Sequence, residues 1–317
     1  MAKRKTTVLV LGGFGFIGRN LLEELATTED YTTIVFDSAA AIPSPLAHAG
    51  AAKTYRGDFA SSGDLEKVFE ENQIDVVVHL ISTTVPASSN GPNIVWDIES
   101  NLVPTMRLLG LMKKYGAAKI VFASSGGTVY GVPQGADADS VIAEEHSTLP
   151  ICSHGIVKLT IEKYLHMFQY LHGVDYLVLR ISNPYGEHHS SRVQGLLNVA
   201  LRNVTSGRPV TIWGNGEIVR DYIYIRDCTR LIRLLIEKGV SNEVLNVGTG
   251  VGYSVDEVLK LIMSVVGQFE VRKEESRKYD VPRVVLDISK LRTFVPFEPT
   301  GIEAGIRNTH AWLLKNP

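Results

Sequence analysis

The apolar positions of the chain fall into short unbroken runs separated by longer stretches of helical spacing. Val8, Leu9, Val10 and Leu11 form the first run, the kind that makes a strand buried on both faces. Similar runs occupy 32–36, 74–80, 119–123 and 176–179, each followed or preceded by a helix-like segment. This alternation, from residue 6 to about 180, predicts βαβ units of a parallel, doubly wound α/β sheet with right-handed crossovers. Beyond Asn183-Pro184-Tyr185-Gly186 the pattern loosens into a helix-like 193–205, a strand at 210–213 and a Gly214-Asn215-Gly216 turn. Ser254 with Glu257, and Thr300 with Glu303, read as capping boxes at helix starts. The division predicted is 1–184 and 185–317, the second part a smaller mixed α/β domain. Stretches of 219–250 are free to return to the first.

Two predicted helices, 94–115 and 156–172, are apolar on more than one face. In the second, Val157, Ile161, Leu165 and Phe168 form one stripe, while Ile156, Leu159, Tyr164, Met167 and Leu171 form another. One face packs on the sheet and the other needs a further cover. A second copy docking the same helix pair would form a two-fold homodimer; burial under the second domain is the alternative.

The first strand runs into Gly12, Gly15 and Gly18, and an apolar helical pattern follows. Strand, glycines and helix are the parts of a phosphate cradle, in which a dinucleotide pyrophosphate meets the helix start. The run at 32–36 ends in Asp37, about twenty residues past the glycines, where a carboxylate meets a ribose 2′-hydroxyl. That charge would repel a 2′-phosphate, so NAD is expected over NADP. The fold implied is Rossmann-type. Ligands of such sheets sit beyond the carboxyl ends of the strands, which draws attention to 57–59, 79–84 and 124–130.

A net charge of −2 with mixed signs gives no footprint for nucleic acid or an anionic membrane. Cys152 and Cys228 lack metal or redox spacing and read as reduced cytosolic thiols. No apolar run approaches the roughly 20 residues that a membrane span requires. The expected location is cytoplasmic, with no metal.

Together, the Gly-Gly-Phe-Gly-Phe-Ile-Gly run at 12–18, Gly57-Asp58, His79-Leu80, the 124–131 loop, Lys158, Asn183-Pro184-Tyr185-Gly186, Arg220-Asp221-Tyr222 and 277–282 resemble the extended short-chain dehydrogenase/reductase family. The resemblance is strongest to its nucleotide-sugar epimerase/dehydratase branch, UDP-sugar 4-epimerases in particular. It implies that Gly12, Gly15, Phe16, Ile17 and Gly18 cradle NAD, with Asp37 on its ribose. Asp58 and Phe59 would hold its adenine. Leu80, Ile81, Ser82 and Asn101 would lie along it, with Ser124 and Lys158 on the nicotinamide side. Asn183, Arg220 and Arg277 would meet a sugar diphosphate, a role suited to the guanidinium fork. The alternative for the arginines is ion pairing, Arg220 with Asp221 and Arg277 with Asp280. Trp213 either covers a uracil ring or packs in the core.

The family's catalytic pair is Tyr-x-x-x-Lys, one helical turn apart. Here Lys158 is present and the tyrosine position holds His154. A neutral imidazole beside a lysine can act as a base near pH 7. Its nitrogen ends about 2 Å short of a tyrosine oxygen, and proton transfer needs roughly 3 Å or a bridging water. Three readings follow: an impairing substitution, a natural water-assisted base, or a binding relative without catalysis. Gly126 stands where many relatives place a catalytic hydroxyl, leaving Ser125 or Thr128 to supply it. Gly127-Thr128 replace the Asp-Glu pair expected of a 4,6-dehydratase. A lipid-diphosphate sugar remains an alternative substrate. His188-His189 read as an exposed loop, and Tyr130 and Tyr185 as packing residues, with Tyr185 also a candidate for the sugar pocket.

Overall fold

The computed structural model describes residues 4–38, 51–86, 89, 94–132, 140–276 and 281–316. In chain order the first half runs β1 (Thr6–Leu11), α1 (Phe16–Leu25), β2 (Tyr31–Asp37), β3 (Ala51–Arg56), α2 (Ser62–Glu71), β4 (Val76–His79), α3 (Ile94–Asp97), a π turn (Ile98–Leu102), α4 (Val103–Tyr115), β5 (Lys119–Ser125), α5 (Ser153–His172) and β6 (Asp175–Ile181). The second half runs β7 (Asn183–Tyr185), α6 (Leu196–Thr205), β8 (Val210–Trp213), β9 (Val219–Tyr224), α7 (Ile225–Glu237), β10 (Glu243–Val247), β11 (Gly252–Ser254), α8 (Val255–Val266), β12 (Val271–Glu274), β13 (Arg283–Val284), α9 (Ser289–Phe294) and α10 (Ile302–Lys315).

Seven parallel strands form the main sheet in the order β10-β6-β5-β4-β1-β2-β3. The unbroken apolar runs are explained by cover on both faces. Alternate residues of β1 divide between the two sides: Leu9 and Leu11 pack with α2, α4 and α5, Val8 and Val10 with α1 and α7. The chain reverses strand order between β1 and β4, which opens a crevice at the carboxyl edge. β10 comes from the second half of the chain yet pairs along β6, Glu243 opposite Leu177 through Val247 opposite Ile181.

The rest of the second half builds smaller sheets. β9 is flanked by β11 and β13 and also pairs with β7, while β8 pairs with β12. Ser254 caps α8 in the expected reciprocal box with Glu257. The second box does not form. α10 starts at Ile302 with Gly301 as its cap, because Asp227 of α7 takes the Thr300 N–H at 2.6 Å. The helix expected over 94–115 is interrupted by the π turn, and α5 starts earlier than its apolar spacing suggested. On α5, Val157, Ile161 and Leu165 are buried, whereas Ile156, Tyr164, Met167, Tyr170 and Leu171 are exposed. Val95, Trp96 and Ile98 continue that exposed apolar surface. Among the described residues no helix is long and apolar enough to cross a membrane.

Candidate active site

The cradle closes on itself through contacts only glycine permits. Gly12 lies at φ +79°, a conformation that L side chains rarely adopt. A Cβ at Gly18 would come within 2.3 Å of the Gly12 carbonyl oxygen, so α1 is pressed directly against the turn. α1 begins at Phe16 with no side chain capping its first turn and no acidic residue in it. Its positive end is thus presented to an anion without a competing carboxylate. Asp37 ends β2 and accepts the Phe14 N–H at 2.8 Å, tying its carboxylate to the loop. Ile81 lies against Gly12, and the Leu80 N–H bonds the Leu11 carbonyl. These residues fit a dinucleotide with its pyrophosphate at the glycines.

The flanks are ordered by short-range contacts. Asp58 is exposed and accepts the Ala60 N–H, and buried Phe59 packs on the His79 ring. Ser82 donates to the Thr84 carbonyl. Asn101, in the π turn, accepts the Thr83 N–H and donates to the Thr83 hydroxyl and the Asp97 carbonyl. Its amide therefore orders the loop after β4.

At the end of β5 the 124–131 loop is clamped onto the first turn of α5. A Cβ at Gly155 would stand 2.6 Å from the Thr128 carbonyl oxygen. His154 and Lys158 lie one turn apart there. Lys158 is buried, donates to the Ala123 carbonyl at 2.8 Å and lies over the Phe122 ring. Burial pulls its ammonium down to about 8, against the opposing pull of Glu162. Burial likewise brings His154 down to about 4, helped by Lys158 and opposed by Asp97 and a hydrogen bond to the Thr84 backbone. The imidazole is neutral near pH 7. Ser125 is half-buried at the strand end, and the Thr128 hydroxyl is buried with no hydrogen-bond partner among the described residues. Ser124 points elsewhere: it is buried and donates to Glu162, whose carboxylate pairs with Arg180 at 2.7 Å. At Gly126 a side chain would strike Leu286, so no hydroxyl fits there without a shift.

On the second-half side, Asn183 donates to the Asp221 carbonyl at 2.9 Å. Arg220 lies beside it on β9, donating to the Val219 carbonyl. Asp221 is fully buried and accepts the Thr249, Gly250 and Leu286 N–H groups, which occupies the carboxylate offered to Arg220 as an ion-pair partner. Trp213 ends β8 and is 39 % exposed. Arg277 and Asp280 lie outside the described residues.

The model of the NAD dependent epimerase/dehydratase family matches residues 8–248. The chain belongs to this family. It is 31 % identical over 339 residues to the UDP-glucose 4-epimerase of Bacillus subtilis (strain 168), covering 98 % of this chain and 97 % of the relative. The UDP-glucose 4-epimerase of Thermotoga maritima, solved with UDP-glucose, superposes with a TM-score of 0.90 at 30 % identity, over 98 % of this chain and 99 % of that one. The Thermus thermophilus UDP-glucose 4-epimerase in complex with NAD gives 0.87 at 30 % identity, with coverage of 98 % and 99 %.

Within this family framework some readings need correction. His188 and His189 are not an exposed loop. His188 bonds Glu23 of α1 at 2.8 Å and packs on Trp312, and His189 is buried against Phe16. Tyr185 packs as expected, buried against Gly305 of α10 and bonding the Ile302 carbonyl. Two groups escaped notice in the sequence. One is the buried Glu162–Arg180 pair behind Ser124, whose only signal was an acid one turn after Lys158. The other is Asp97, a fully buried acid at the end of α3.

Proposed function

We propose that the protein is an NAD-dependent 4-epimerase of nucleotide-diphosphate hexoses, of the UDP-glucose or UDP-N-acetylglucosamine type, working through a 4-keto sugar. The observation that carries the reading is the sharing of one sheet edge by two devices. The glycine cradle closed on Asp37 leaves β1, and the His154–Lys158 turn is clamped to the end of β5 two strands away. The UDP-glucose and NAD in the relatives' structures support the pairing of ligands.

Bound NAD supplies reversible hydride acceptance at the sugar C4. His154, directly or through water, takes the C4 hydroxyl proton, with the Lys158 charge beside it favouring deprotonation of the hydroxyl. Ser125 or Thr128 donates to the C4 oxygen. Asn183, Arg220 and Arg277 anchor the diphosphate, and Trp213 covers the base, so that the sugar can turn about its linkage and present the opposite face. The exposed apolar surface of α3 and α5 docks a second copy as a homodimer. The reading includes a cytoplasmic location, supported by two buried, unpaired cysteines.

The test measures nicotinamide released on denaturation and C4 inversion of UDP-glucose, UDP-N-acetylglucosamine and a lipid-diphosphate-linked hexose. Stoichiometric NAD and inversion of a UDP-sugar are expected. NAD without inversion of any substrate removes the epimerase and leaves a binding relative; inversion of the lipid-linked sugar alone moves the substrate class.

A further inference from the structure

We infer that Asp97 is a positioning residue for His154, its buried carboxylate stabilising the imidazolium that forms when the ring takes the sugar hydroxyl proton. The inference rests on the epimerase reading and deepens it. Asp97 is 0 % exposed, and neither of its oxygens has a hydrogen-bond partner among the described residues. A carboxylate so placed is strongly unfavourable unless a positive charge comes to it, and buried polar atoms left unpaired call for a reason.

The location supplies the reason. Asp97 closes α3, which packs against α5. Its carboxylate raises the Cys152 thiol and opposes the lowering of the His154 ring, the residues on either side of the α5 start. The π turn that follows Asp97 adds a residue to the helical repeat there, as such turns do at functional sites. Asn101 in that turn bonds the Asp97 carbonyl and the Thr83 backbone, and the next residue, Thr84, meets the His154 ring through its backbone. One short segment thus carries the carboxylate and orders the loop beside it.

The proton balance explains what the carboxylate does. In the forward step the C4 hydroxyl proton passes to the free ring nitrogen, and the O–H electron pair becomes the second bond of the C4 carbonyl as C4 gives up its hydride to the cofactor. The ring then carries a positive charge one turn from the Lys158 ammonium, in a buried setting. Burial and Lys158 both oppose that charge; Asp97, on the packed α3, favours it. Cys152 is the remaining ionisable group at this turn, and its thiol is held protonated by burial. A catalytic tyrosine works from its anion, which the lysine favours, and becomes neutral on taking the proton. A histidine becomes a cation and needs an acid, which Asp97 provides.

The experiment titrates the His154 ring by NMR in the purified holoprotein with labelled histidine, the signal assigned by its loss in His154→Gln. Asp97→Asn should lower the ring midpoint by about one unit. It should slow UDP-sugar epimerisation by about a hundredfold, with KM within about twofold. Bound NAD should stay unchanged and the thermal midpoint should hold, since asparagine fills the same volume at a site where the side chain makes no hydrogen bond. Asp97→Glu should retain part of the rate. In a His154→Tyr chain, Asp97→Asn should cause no slowing. An unchanged ring midpoint, or equal slowing in both backgrounds, overturns the inference. A parent protein with no epimerisation at all sinks the function proposed above, while the titration still decides the Asp97–His154 pair.

Discussion

Asp37 receives the Phe14 N–H and so fixes the loop. In the function proposed above the same carboxylate meets a ribose hydroxyl and repels a 2′-phosphate. Asp37→Ala should shift the NAD/NADP affinity ratio toward NADP by about tenfold or more, because the repulsion disappears while the cradle amides remain. Calorimetric titration of the stripped protein with both cofactors checks this, and an unmoved ratio removes the residue from the specificity determinants. At this scale the sequence was a good guide where the partner is close in the chain. Gly15, Gly18 and Asp37 make their close contacts within one βαβ unit. It failed where the partner is remote. The ring of His188 is held by Glu23 and packs on Trp312, contacts that no local pattern encodes.

Between elements, the most consequential contact is the approach of the β5 loop to the first turn of α5. Gly155 is the residue that allows it, since a methyl there would collide with the Thr128 carbonyl. Gly155→Ala should push loop and helix apart, costing about 1–3 kcal/mol of stability. It should cut turnover by about a hundredfold, with NAD retained at the separate glycine cradle. Denaturant unfolding and a nicotinamide assay on the same preparation separate the two effects, and an unaltered rate would show that the clamp does not position His154. Most elements were legible because burial on both faces of the sheet writes itself as short apolar runs. The interruption of 94–115 was not, since a π turn leaves the apolar spacing of a helix nearly intact. The capping box at Ser254 was read correctly and the one at Thr300 was not, because Asp227 reaches the same N–H from a different helix.

For the molecule as a whole, acid is the weak side. His79 is fully buried and held down at about 3, chiefly by burial and then by Lys158; His189 is held at about 4, by burial and then Arg202. Both are neutral when folded and free to take a proton when unfolded, so the unfolded chain binds more protons below about 6.5. Stability therefore falls as pH drops from there toward the folded values, by on the order of 1 kcal/mol per histidine by about pH 5. Denaturant midpoints at about pH 7.5 and 5 in constant salt test it, and equal midpoints would mean that these rings are protonated in the fold. The exposed apolar surface yields a second expectation at this scale. Replacing Val95 and Leu171 with Glu should leave the fold intact and halve the mass seen in sedimentation; a parent protein that already sediments as a monomer would rule out the homodimer.

The seventh strand has a consequence for synthesis. β10 arrives more than sixty residues after β6, from beyond the segment that supplies β7, α6 and β9. As the chain leaves the ribosome, six strands are available well before the seventh, and the β6 border stays open with its backbone groups unpaired. Translation must proceed through Val247 before that border is sealed. A fragment stopped at the apparent boundary after Pro184 would be an aggregating half-product, and exchange of this half with another protein would have to carry β10 along.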